Sequence, residues 1–244
     1  MPQVGCACAV CTSTDPRDTR LRTGALLEAG GRTLLIDSPP ELRLQLLRAG
    51  VRAVDGVLYT HGHADHVNGI DDLRIFSVKQ RAHVPLFGPP ATLEHLRTSF
   101  DYIFNPAVQA VTGTSKPMLT LTPLTPGTWQ DVLGVPVLPI AFAHGPMTVY
   151  GYRVGDLAYV TDVQAVPQEG RALLAGVRAL VLNALWWRPH PTHLSIPEAI
   201  EVARAVGAER TYLTHLSHET GHAELAARLP PGIEPAWDGL ILEA

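Results

Sequence analysis

The chain has 244 residues, 46% of them hydrophobic and 17% charged, with 19 Lys and Arg against 23 Asp and Glu and a formal net charge of -4. That composition suits a sizeable core and excludes extended disorder, and the lack of any block of basic residues argues against nucleic acid as the main partner. No run approaches the ~18 apolar residues of a membrane span and the N-terminal stretch lacks the basic n-region of a signal peptide, so the expectation is one cytoplasmic domain over residues 1–244 with no membrane partner.

The first signal along the chain is a cluster of cysteines. All three lie at Cys6, Cys8 and Cys11. An odd, tightly spaced set in a cytosolic chain reads as metal ligands rather than disulfides. Gly24 to Ala29 and Thr33 to Asp37 are apolar runs parted by Gly30-Gly31, the pattern of a hairpin. Pro39-Pro40 then opens a helix with Leu42, Leu46 and Leu47 at helical spacing. Val54 to Thr60 reads as a buried strand, and a helix is expected from Asp65 to Ser77. Val84 to Gly88 is a strand and Ala91 to Phe100 a helix. Residues 101–131, rich in Pro, Thr and Gly, read as loop and as a candidate cover for a site.

Strands follow at Val135 to Phe142, Val149 to Val154 and Leu157 to Thr161. A helix near Gln168 to Ala175 precedes a strand at Ala179 to Leu185. Ser195-Ile196-Pro197-Glu198 is a capping box with Pro in the first turn, and its helix runs to Val206 before Gly207. Thr211 to Thr214 is a strand, Glu219 to Leu229 a helix, and Leu240 to Leu242 a last strand. Strands and helices interleave throughout, which defines an α/β (α+β) chain.

The chemistry concentrates in Thr60-His61-Gly62-His63-Ala64-Asp65-His66. Three imidazoles and a carboxylate in six positions suit zinc, manganese, iron or nickel rather than calcium. His61 and His63 can face one cation, and Asp65 and His66 a second. Two cations ~3.5–4 Å apart hold a bridging hydroxide and clamp a phosphoryl group. Further ligands must come from distant strand ends: His144 after Ala143, Asp162 after Thr161 and His215 after Thr214. Asp162, with two oxygens, is the natural bridge. The expected first site is His61, His63, His144 and Asp162, and the second is Asp65, His66, His215 and Asp162.

His61-x-His63-x-Asp65-His66, followed by His144, Asp162 and His215 in that order, resembles the metallo-β-lactamase superfamily over roughly residues 21–244. The resemblance implies an αββα sandwich with metals at one edge. It implies that Asp37 orients a ligand histidine. The di-iron, oxygen-reducing members carry Glu where this chain has His63, so hydrolysis is favoured over redox chemistry. Asp rather than Cys at position 162 favours a bridged pair.

Cys6, Cys8, Cys11 and His218 resemble the extra zinc site of the PhnP-like phosphodiesterases of the carbon–phosphorus lyase pathway. His218 is the expected fourth ligand of a closed tetrahedral zinc, and His222 is the reserve. That resemblance implies one structural Zn2+ in the segment 6–11. It also implies cleavage of a small cyclic phosphodiester such as 5-phosphoribosyl 1,2-cyclic phosphate. The resemblance further implies a catalytic histidine, not a ligand, in the region of His193. Phosphodiester cleavage needs a proton on the leaving oxygen, and an imidazole supplies it. Asp65 joins His193 as a catalytic residue.

Arg188, in Trp186-Trp187-Arg188, is a candidate for holding a terminal phosphate. His83, His95, His190 and His222 read as surface or packing residues, and Ser38 and Thr60 as turn residues. The catalytic cations are expected to be Mn2+ or Zn2+, with Ni2+ as a further choice. The expected partner is a small phosphodiester, and the chain itself is a candidate homodimer. Rival readings are tRNA 3′-processing, thioester, lactone or β-lactam hydrolysis, and a non-catalytic metal-binding accessory protein.

Overall fold

The computed structural model describes residues 1–243. The chain falls into two compact units interleaved in sequence. One holds Arg22–Thr125 and Gln130–Val135; the other holds Met1–Leu21, Pro126–Trp129 and the chain from Pro136 onward.

The unit beginning at Arg22 is built on a five-stranded sheet. Its strands are β1 (Ala25–Ala29), β2 (Arg32–Ile36), β3 (Gly56–Leu58), β4 (Val84–Gly88) and β5 (Leu119–Pro123), side by side in that order. β1 and β2 form the expected hairpin, with Ala29 opposite Arg32. Gly30 and Gly31 turn it at φ 57° and 72°, the left-handed pair that a two-residue turn requires. The other pairings are parallel. Helices α1 (Leu42–Arg48), α2 (Ala64–Val67), α3 (Arg74–Gln80), α4 (Pro90–Ser99) and α5 (Asp101–Phe104) occupy the crossovers. Leu42, Leu46, Ile70, Leu73, Phe76, Leu93 and Leu96 bury against Val57, Tyr59 and Leu86. Each such side chain contributes about 1.5–3 kcal/mol by leaving water.

The helix expected over Asp65 to Ser77 is broken into α2, a 3-10 turn at Ile70–Leu73, and α3. The cause is at Gly69. Its N–H donates to the Ser38 carbonyl at 2.8 Å. A Cβ there would press on the Pro39 carbonyl oxygen, so the chain passes this point only as glycine. Residues 101–131, expected as loop, contain α5, β5 and β6 (Gln130–Val132). In β5 Leu119 and Leu121 face the core while Thr120 and Thr122 face out. The surrounding Pro and Thr diluted that alternation. The helix expected from Pro39-Pro40 begins only at Leu42.

In the other unit, strands β7 (Val135–His144), β8 (Met147–Val154), β9 (Leu157–Val160), β10 (Ala179–Asn183), β11 (Arg210–Thr214) and β12 (Ile233–Pro235) lie in the order β12-β11-β10-β9-β8-β7. β9 to β12 are parallel, and β8 is antiparallel to both β7 and β9. β7 therefore points the same way as β9, and its carboxyl end falls on the same edge. Helices α6 (Gln168–Leu174), α7 (Ile196–Val206) and α8 (His222–Arg228) accompany them. Ser195 caps α7 as expected: its backbone N–H donates to the Glu198 carboxylate at 2.8 Å. Ile196, Ala199, Val202, Ala203 and Val206 bury one stripe against Leu180, Leu182 and Leu213.

Two expectations shift here. The helix placed from Glu219 starts at His222, because Gly221 takes the extended N-cap conformation. The last strand is not Leu240 to Leu242. Ile233 is buried in β12 beside β11, whereas Ile241 is 84% exposed. Three apolar residues gave no period to separate the two segments. Pro235 is tolerated because β12 is an edge strand.

Candidate metal centre

In both units the metal-type residues sit just beyond the carboxyl ends of parallel strands, where α/β sheets present their ligands. In the β1–β5 unit, β2 ends into Asp37 and β3 into Tyr59-Thr60-His61. Asp37 is 1% exposed, and it accepts from Thr60 N at 2.7 Å, Thr60 Oγ1 at 2.8 Å and His66 Nδ1 at 2.7 Å. Burial pushes its pKa up, and His66 and Thr60 pull it back. The contact with Asp37 commits His66 Nδ1 and turns Nε2 outward. Thr60 Oγ1, 3.0 Å from His61 Nδ1, does the same for His61. His61 Nε2 and His63 Nδ1 lie 3.0 Å apart. Two nitrogens on one cation at ~2.0–2.1 Å are separated by about 2.9–3.4 Å, so this pair fits a shared metal. Asp65 Oδ2 lies 3.6 Å from His66 Nε2 and is part-exposed.

In the β7–β12 unit, His144 ends β7, Asp162 follows β9 and His215 follows β11. His144 Nδ1 lies 2.9 Å from the Thr192 carbonyl, to which it donates, leaving Nε2 for a cation. Asp162 Oδ1 lies 3.1 Å from His215 Nε2 and 2.8 Å from His193 Nε2. Thr161 Oγ1 donates to Asp162 Oδ2 at 2.6 Å. The His193 ring stacks on His215 with centroids 4.8 Å apart and meets His144 edge-on at 4.7 Å. The ligand atoms of His144, Asp162 and His193 cluster closely enough to hold a metal.

Asp37, Asp162 and His215 share a backbone property. Their φ values are 64°, 58° and 57°, left-handed conformations that non-glycine residues rarely adopt. Such strain persists only where the surroundings over-determine it. Asn183, not singled out from the sequence, is one of those surroundings. It is fully buried, its Oδ1 accepts from Val163 N at 2.9 Å and its Nδ2 donates to Val163 O at 3.2 Å, pinning the residue after Asp162. A polar residue closing an apolar strand was the signal available.

The cysteine cluster is built in the same unit. His218 Nδ1 lies 3.5, 3.4 and 3.5 Å from the sulfurs of Cys6, Cys8 and Cys11. A tetrahedral zinc with bonds of ~2.3 Å to sulfur and ~2.0–2.1 Å to nitrogen has S···N edges of about 3.6 Å. The four donors therefore fit a closed zinc site. The His218 contact draws the Cys8 pKa down to about 6, toward the thiolate form that a zinc ligand takes. His222, the reserve, points elsewhere: it is buried, its ring meets Trp237 edge-on at 5.4 Å, and its backbone N–H donates to Asp18 Oδ1 at 2.6 Å. Arg188 lies exposed, paired with Glu219 at 2.7 Å and stacked 3.7 Å over Trp186.

The match to a family model, the Beta-lactamase superfamily domain, covers residues 32–216. The chain belongs to the metallo-β-lactamase superfamily, and its fold is that of the superfamily. Within it the chain is PhnP-like: a solved structure described as a new diphosphatase from the PhnP family superposes with a TM-score of 0.90 at 37% identity, over 98% of this chain and 90% of that one. An octanoyltransferase of Porphyromonas gingivalis (strain ATCC BAA-308 / W83) is 36% identical over 98% of this chain but 48% of its own length, so the chain spans about half of that relative. A ribonuclease Z of Mycobacterium sp. (strain KMS) is 27% identical over 82% of this chain and 79% of its own. Alongside these relations, His and Asp side chains cluster closely enough to hold metal ions. No helix among the described residues is long and apolar enough to cross a membrane.

Proposed function

We propose that the chain is a cytoplasmic phosphodiesterase with two catalytic divalent cations, acting on a small cyclic phosphodiester such as 5-phosphoribosyl 1,2-cyclic phosphate. His61, His63, His144 and Asp162 would hold one cation. Asp65, His66, His215 and Asp162 would hold the other. Cys6, Cys8, Cys11 and His218 would hold a structural Zn2+. When bound, such a pair supplies Lewis acidity and a water of lowered pKa.

The chain's own residues do the rest. Asp37 and Thr60 fix the His66 and His61 tautomers. The Thr192 carbonyl fixes that of His144. His193 carries the reading. It is an imidazole beyond the proposed ligand set, with Nε2 at 2.8 Å from the proposed bridging carboxylate and its ring packed between two proposed ligands. That is the position from which a proton reaches a leaving oxygen. Arg188 would meet a terminal phosphate by exchanging it for Glu219.

The test is ring opening of a cyclic phosphodiester followed by 31P NMR, with a diphosphate, a thioester and a lactone alongside. Selective opening of the phosphodiester is expected. A metal-replete protein that cleaves only the thioester or lactone would overturn the assignment. The ribonuclease Z similarity favours tRNA 3′-processing as a second reading, and precursor-tRNA cleavage in the same panel would establish it.

Metal analysis of protein purified without chelator should give about three metals per chain, falling by one in Cys8→Ser with phosphodiester turnover retained. Two metals in the unaltered protein would remove the structural zinc.

A further inference from the structure

His193 has a neighbour that the proposed proton delivery does not use. His190 Nδ1 lies 3.2 Å from His193 Nδ1. Thr192 Oγ1 sits between them, 3.0 Å from His193 Nδ1 and 3.3 Å from His190 Nδ1. Which nitrogens carry protons follows from one fixed donor. The Thr192 backbone N–H points to His190 Nδ1 at 3.3 Å. A nitrogen accepting a backbone N–H has no proton of its own. His190 therefore carries its proton on Nε2. Two unprotonated nitrogens 3.2 Å apart would set lone pair against lone pair, so the proton between the rings belongs to His193 Nδ1. Thr192 Oγ1, 3.0 Å from His193 Nδ1, fits the same direction by accepting a share of that proton.

We propose that His190 is a positioning residue for His193: its bare Nδ1 accepts the His193 Nδ1–H, which leaves Nε2 as the nitrogen that delivers a proton to the substrate. This rests on the phosphodiesterase reading, in which His193 is the acid. In that reaction the oxygen of water bonds to phosphorus and the bond from phosphorus to the leaving oxygen breaks. The leaving oxygen takes the Nε2 proton of His193, and the proton released by the attacking water replaces it through solvent. Throughout, His193 keeps its Nδ1 proton, held by His190, so the ring neither flips nor changes tautomer between turnovers.

His190 is itself held in place. Its ring meets Trp186 edge-on at 5.2 Å, and Arg188 stacks over Trp186 at 3.7 Å. Trp186 O accepts from Ile196 N at 2.7 Å and Leu185 N donates to Leu194 O at 2.9 Å, closing the loop that carries both histidines.

The experiment compares His190→Phe and His190→Asn in two assays. In zinc-loaded, 15N-histidine-labelled protein, His193 should show a proton on Nδ1. His190→Phe should shift or scatter that signal, and His190→Asn, whose amide oxygen can take the place of Nδ1, should restore it. In turnover, His190→Phe should slow a phosphodiester with an alkyl leaving group about 10–100-fold, the range for groups acting through another residue. It should spare a p-nitrophenyl phosphodiester, whose leaving group needs no proton. Equal losses on both esters with unchanged unfolding midpoints, or an unchanged His193 Nδ1 signal in His190→Phe, would overturn the proposal. The parent reading fails separately: full alkyl-ester activity in His193→Ala removes the acid itself. Full activity in His190→Phe beside a disabled His193→Ala removes His190 alone.

Discussion

Replacing His193 with alanine should leave the fold and the metal content in place while turnover of an alkyl phosphodiester falls about 10²–10⁴-fold. The side chain is 13% exposed and stands between His144 and His215, so its removal opens a small hole without uncovering a core. The loss corresponds to about 3–5 kcal/mol of transition-state stabilisation. That magnitude belongs to a proton delivered to an alkoxide and exceeds what a packing contact contributes to the barrier. A p-nitrophenyl ester should therefore lose much less in the same variant. Equal losses with both leaving groups, or a metal content that falls with activity, would make His193 a ligand rather than an acid.

Asp37→Ala should have the largest effect on stability, costing about 3–5 kcal/mol in the metal-free protein. Three donors converge on this carboxylate in a region shut off from water. Alanine removes the acceptor that His66 Nδ1, Thr60 N and Thr60 Oγ1 share, and each donor so stranded carries a desolvation penalty. Against a total stability of roughly 5–15 kcal/mol this is a large fraction. The same change frees the His66 ring to rotate, so metal affinity should also drop about 10–100-fold. Denaturant titration of the apoprotein and competition with a chelator measure the two losses. Asp37→Asn separates them, because its amide keeps one acceptor oxygen and loses the charge. A variant with unchanged midpoint and unchanged metal affinity would remove Asp37 from both roles.

What could be read in the sequence was what depends on near neighbours. The two-glycine hairpin, the Ser195–Glu198 box and the crowded His61 to His66 loop are each written within a few residues, and each has the expected local form. The places where reading failed depend on distant partners. Gly69 breaks a helix because of the Ser38 and Pro39 carbonyls, thirty residues earlier. β12 rather than Leu240 to Leu242 closes the sheet because only Ile233 finds cover beside β11. His190, set aside as a surface or packing residue, gains meaning only through a backbone N–H two residues away and a ring three residues away in a folded loop. The left-handed backbone of Asp37, Asp162 and His215 is only weakly signalled by residue type, since Asp and His adopt it more readily than most residues but do so at few of their positions.

The cysteine cluster also fixes an order of events in the life of the chain. Cys6 and His218 are separated by 212 positions, so the ribosome delivers three thiols long before the imidazole that faces them. Until then the thiols are open to oxidants and to any passing soft metal ion. Once His218 emerges, the proposed cation on the four donors would tie almost the whole chain into one loop. In the chain-entropy picture a cross-link of that span restricts the unfolded state by roughly 5 kcal/mol. Zinc supply during synthesis, rather than during catalysis, would then govern how much of the protein reaches its folded form.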